Sequence, residues 1–80
     1  MTITTAVSKR IDEYLFERGI TLYKLAQESF LPVSTLQNLY RGNTKSPTMA
    51  VICKICAGLK ITVSEFMDSP LFNSTDLELD

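Results

Sequence analysis

Ser34, Gln37, Asn38 and Arg41 recur within one short segment, and their types suit a particular chemistry. On a helix that turns about 100° per residue, with Leu36 as origin, these four occupy one arc, while Leu39 and Tyr40 fall within about 60° of Leu36. One side is apolar and the other polar. The polar arc has two amide side chains one residue apart, a hydroxyl, a closing guanidinium and no carboxylate. Gln and Asn can pair bidentately with adenine, Ser can meet any base, and Arg can hold a phosphate. An ordinary solvated helix face also displays Ser, Gln and Asn, so the arc by itself leaves both readings open.

Other chemistries fall away on composition. The chain has no His and no Trp, which excludes imidazole acid/base catalysis, histidine metal ligation and Ser-His or Cys-His nucleophile pairs. Asp12, Glu13 and Glu17 are adjacent acids on one helix, and in so small a chain they read as a solvated face rather than a glycosidase pair. Cys53 and Cys56 form a C-x-x-C, but in mid-helix rather than at the amino end that lowers a thiol pKa. Two ligands also fall short of the four in a structural zinc site. Buried, reduced thiols are expected, with no metal, no cofactor and no enzymatic activity.

Positioning the segment requires helices. Eighty residues make one domain, 45% hydrophobic and 21% charged, with helical apolar spacing and no sustained alternation. The spacing predicts an all-α, compact five-helix fold. Helix one runs from about Thr5 to Arg18 on Val7, Ile11, Tyr14 and Leu15, and Gly19 closes it. Thr21 caps helix two, whose Leu22, Leu25 and Ala26 face inward to about Ser29. Helix three spans 33 to 41 and ends at Gly42. Ser46 and Pro47 read as the cap and first residue of helix four, with Met49, Ile52, Ile55, Cys56 and Leu59 on its inner side. Thr62 to Glu65 spells a capping box for a brief fifth helix, across which Ile61 can staple onto Phe66. Residues 1–67 form the domain, and 68–80 an acidic, partly mobile tail.

Net charge is −1, yet charge is segregated. Residues 1–67 hold eight basic and five acidic side chains, and residues 68–80 hold four acids. The stretch from 18 to 45 has Arg18, Lys24, Arg41 and Lys45 against Glu28 alone. No apolar run approaches the ~20 residues of a bilayer helix, and the amino end lacks a signal-peptide plan, so a cytoplasmic location is expected.

The series Leu25-Ala26, Leu31, Ser34-Thr35-Leu36, Leu39, Arg41-Gly42 and Ser46-Pro47 resembles the lambda-repressor-like (Cro and xenobiotic-response-element type) helix-turn-helix family. The resemblance extends through Ile52, Ile55, Leu59 and Ile61 to Phe66, covering roughly residues 7 to 67. It implies a sequence-specific, double-stranded DNA-binding transcriptional regulator of prokaryotic or phage type, acting as a repressor, with helices two and three as the motif. Carried over by position, Val33, Ser34, Gln37 and Asn38 face bases, while Thr35, Arg41 and Lys45 lie near the DNA backbone. Ser34, Gln37 and Asn38 also came from the helical projection; Val33 rests on the resemblance. Leu22 stands where the family often has Gln, leaving Tyr23 and Lys24 to substitute at the phosphates. Phe30 stands where the family usually has Gly, so the turn must take a conformation that tolerates a Cβ, or the ring must point outward. Two amide readers and no Arg at the helix start favour A·T pairs at the centre of the half-site.

A homodimer is expected, with half-sites about one helical turn, ~34 Å, apart. Phe16, Phe66, Met67, Leu71 and Phe72 are its candidate contacts. The alternative is a protein-interaction module on the same fold, antitoxin-like or a regulatory partner with weak DNA affinity, favoured by the overall acidity and by Leu22. A thiol or metal sensor using Cys53 and Cys56 is a third.

Overall fold

A computed structural model describes residues 1–42, 46–73, 77 and 78. Its elements are α1 (Ile3–Arg18), α2 (Leu22–Glu28), α3 (Val33–Arg41), α4 (Met49–Leu59), α5 (Val63–Met67) and a 3₁₀ turn at Pro70–Phe72.

Threonine starts four of the five helices. Thr2, Thr21, Thr48 and Thr62 are extended, and each hydroxyl accepts a hydrogen bond from the backbone N–H three residues on, meeting a donor the helix leaves without a partner. At Thr62 the reciprocal bond from its own N–H to Glu65 completes the expected capping box. Two expected boundaries move. Helix α1 begins two residues early because Thr2 caps it. Helix α4 is capped by Thr48, whose hydroxyl takes the Val51 N–H at 3.2 Å, so Ser46 and Pro47 lie before the helix. Both Ser46 and Thr48 are capping types, and local pattern did not separate them.

Three helices end alike. Beyond α1, α2 and α4, Ile20, Leu31 and Ile61 donate back to Leu15, Ala26 and Cys56, with a second bond from the preceding residue. That preceding residue has a left-handed backbone: Gly19 (φ 63°), Phe30 (φ 55°) and Lys60 (φ 60°). Gly19 meets the requirement without cost; Phe30 and Lys60 do not.

The core comprises Val7, Ile11, Leu25, Ala26, Leu36, Leu39, Ile52, Ile55, Cys56, Leu59 and Phe66, drawn from all five helices. Helix α2 lies against α4 at Gly58, where a Cβ would collide with Ser29 Oγ and lie 3.0 Å from the Ser29 nitrogen. The missing side chain on α4 is thus what allows α2 to seat. Met49, expected inward, is exposed: it starts α4 beside an apolar cleft of about 230 Å³ lined by Ile3, Val7, Pro47, Ile52 and Met67.

The stretch after Met67 is attached at several points. The Phe66 ring is fully buried, which removes it from the candidate dimer contacts, and it lies between Tyr14 (centroids 6.3 Å apart) and Phe72 (6.0 Å). Ser69 is buried. Glu78 forms a parallel bridge with Thr2, donating to the Met1 carbonyl and accepting from the Ile3 N–H. Apolar side chains and backbone pairing connect these residues of the expected tail to the helical body.

Candidate nucleic-acid interface

Helix α3 leaves the turn through Pro32, whose backbone (φ −60°, ψ 139°) suits the residue before a helix. Leu36 and Leu39 are buried and fix which side faces the core. Ser34 and Arg41 are therefore exposed, with Gln37 and Asn38 half-buried between them. The structure brings these four onto one face, as the helical projection expects. Arg41 has no hydrogen-bond or ion-pair partner among the described residues, so its guanidinium is available to an anion.

The remaining predicted site residues divide. Tyr23 sits in the first turn of α2, and its hydroxyl accepts a bond from Gln37 Nε2 at 3.4 Å, so a phosphate-side candidate and a base-side candidate touch. Lys24 is exposed and ion-paired with Glu28 at 3.1 Å, which partly offsets its charge. Thr35 is half-buried. Val33 is half-buried too and packs against the core, so only part of its side chain is left to meet a base. Lys45 lies outside the described residues.

Tyr40 falls at the edge of the apolar side rather than within it. Its hydroxyl donates to Asp12 Oδ1 at 2.6 Å, tethering α3 to α1. Partial burial, then the Asp12 hydrogen bond and charge, push the Tyr40 phenol well above its ordinary range. Asp12 is thus a structural acceptor rather than part of a purely solvated face.

Two arginines take structural roles that sequence reasoning missed. Arg18, counted with the basic stretch around the motif, donates to the Leu59 carbonyl at the end of α4, with its guanidinium over the Tyr14 ring. Arg10 donates to the carbonyls of Phe66 and Glu65, both at 2.8 Å, and of Asp68, capping α5 from across the molecule. Their partners are backbone carbonyls more than forty residues away, so local pattern carries no sign of them.

Charge explains how an acidic chain can present such a face. From Ser29 through Ser64 there is no Asp or Glu, while Arg41, Lys45, Lys54 and Lys60 contribute four positive charges. The stretch contains all of α3 and α4. Potential follows the local charge distribution rather than the net figure.

Neither cysteine is in a disulfide; Cys56 is buried as expected, but Cys53, expected to be buried as well, is exposed. Burial, then the neighbouring Cys53, raise the Cys56 thiol pKa. Among the described residues no cluster of three metal-ligating side chains occurs, and no helix is long and apolar enough to cross a membrane.

No curated protein and no solved structure shows a significant match to the chain. A family model, the Cro/C1-type HTH DNA-binding domain, matches residues 10–70, from within α1 through α2, α3, α4 and α5 to the start of the 3₁₀ turn. With a helix-turn-helix at α2 and α3 and a carboxylate-free polar face on α3, the chain belongs to the Cro/C1-type helix-turn-helix family of DNA-binding transcription regulators.

Proposed function

We propose that α3 enters the major groove and reads sequence there, and that the chain acts as a repressor by occupying its site. The observation that carries this reading is the α3 face itself: Ser34, Gln37, Asn38 and Arg41 together on one side, with Leu36 and Leu39 anchoring the other. Ser34, Gln37 and Asn38 meet base edges, with Val33 at the flank against a thymine methyl. Arg41, Thr35, Tyr23, Lys24 and Lys45 hold phosphates. The Gln37–Tyr23 contact supports this division, because it places the first turn of α2 beside the middle of α3. A homodimer supplies two such helices to half-sites about one turn, ~34 Å, apart, since a single module makes too few contacts for tight specific binding. The exposed Phe16 and Met67 and the half-buried Leu71 are the residues we assign to contact between copies.

Selection from a random duplex pool, followed by titration of variants, tests the reading. Gln37→Ala is expected to cost about 1–3 kcal/mol at one base pair and to relax discrimination there. Arg41→Ala is expected to weaken all duplexes about equally and to flatten the salt dependence. Equal losses for Gln37→Ala on matched and mismatched duplexes would remove its reading role.

A further inference from the structure

Phe30 breaks two rules at once. Its ring is 89% exposed, and its backbone has φ 55°, a conformation that disfavours any side chain bearing a Cβ. Its neighbours fix that conformation. Ser29 is buried against Gly58, Phe30 N–H donates to Gln27, and Leu31 N–H donates to Ala26 at 3.0 Å. No aromatic or cationic side chain among the described residues lies against the ring. An apolar ring is thus held outward at a stability cost, with no aromatic or cationic partner among the described residues. Lys60 shares the backbone conformation, but its side chain is one that water solvates well.

Phe30 stands two residues before Pro32, from which α3 starts, and three before Val33. Three residues span at most about 10 Å. The ring therefore lies within reach of whatever meets the amino end of α3. The nearest acid in the sequence, Glu28, is ion-paired with Lys24 at 3.1 Å, and from Ser29 through Ser64 the chain has no carboxylate, which limits the repulsion a polyanion would meet there.

We infer that Phe30 is a DNA-contacting residue whose ring packs on the apolar groups of the duplex at the groove edge, a thymine methyl or a deoxyribose face, beside the bases met by Val33 and Ser34. This rests on the placement of α3 in the major groove, and it adds a contact that fixes how deeply α3 enters. Apolar contact of this kind carries no charge, so it contributes at all salt concentrations, unlike the phosphate contacts.

The test uses the full chain and a duplex taken from the pool selection. Phe30→Gly and Phe30→Asn both accept the left-handed backbone while removing the ring. Both are expected to melt at or above the wild-type temperature and to bind the duplex about tenfold more weakly, with the salt slope unchanged. Replacing flanking thymines by uracil, one at a time, separates the two apolar groups. A loss in the wild type that disappears in Phe30→Gly assigns a methyl, and no loss at any position assigns the sugar. Wild-type affinity in both variants would overturn the contact and leave the groove reading standing. Failure of the wild type to select any duplex would overturn both.

Discussion

Gly58→Ala tests the seating of the helix-turn-helix on the rest of the fold. In an open helix interior this change would stabilise by up to about 1 kcal/mol through propensity alone. Here the new Cβ would collide with Ser29 Oγ and stand 3.0 Å from the Ser29 nitrogen and 3.1 Å from its Cα. Rotating the hydroxyl relieves only the first contact. The two backbone contacts require the end of α2 to withdraw from α4 by about 0.5 Å, and overpacking of this kind costs about 1–3 kcal/mol in a close-packed interior. Set against the propensity gain, the net expectation is a loss of up to about 2 kcal/mol, with Tm lower by about 4–8 °C for each kcal/mol in a chain of this size. Ser29→Ala alone should be neutral or slightly stabilising, because Ser29 Oγ is buried without a hydrogen-bond partner among the described residues. The double variant should recover part of the loss but not all of it, since the backbone contacts remain. Thermal melting of the four proteins yields the coupling directly. A Gly58→Ala protein more stable than the wild type, as helix propensity alone would make it, would mean that the end of α2 and α4 are not this close.

Three further outcomes follow from single groups. Tyr40 holds its proton more tightly in the folded chain than an unfolded tyrosine does, so its contribution is complete below pH ~10 and is lost as pH rises beyond that. Denaturant midpoints measured across alkaline pH should fall in the wild type and fall less steeply in Tyr40→Phe; parallel curves would exclude the Asp12 tether. In the folded protein a thiol-alkylating reagent should label the exposed Cys53 well before the buried Cys56, whose thiol pKa is raised, and mass spectrometry of the peptides would detect equal labelling if the burial of Cys56 were wrong. Arg10→Ala should destabilise by about 1.5–3 kcal/mol by leaving α5 carbonyls without their charged donor, and Arg10→Lys should restore only part, because an ammonium cannot span three carbonyls as a guanidinium does. An Arg10→Ala protein with unchanged melting would discount that cap.

The sequence carries the α3 face almost completely, for a physical reason. Leu36 and Leu39 set the buried side by periodicity alone, and once that side is fixed the positions of Ser34, Gln37, Asn38 and Arg41 follow from helix geometry. Helix ends marked by glycine, at Gly19 and Gly42, were equally legible. Phe30 and Lys60 were not, because the left-handed turn there is imposed by returning hydrogen bonds and by packing of neighbours rather than by the residue itself. Met49 was misplaced because periodicity assigns a side but not whether another element arrives to cover it. Arg10, Arg18 and Asp12 bond to partners 28 to 58 residues away, and spacing along a helix has no access to contacts at that range.

The central claim is that one face of α3 meets the duplex. Backbone and side-chain amide NMR of the labelled protein, titrated with a selected duplex and with a scrambled one at matched salt, addresses it directly. With the selected duplex, the account expects the largest shifts at Ser34, Gln37, Asn38 and Arg41 and in the first turn of α2, with the Gln37 and Asn38 side-chain amides moving only there. Shifts confined to the outer face of α1, or identical responses to both duplexes, would contradict it.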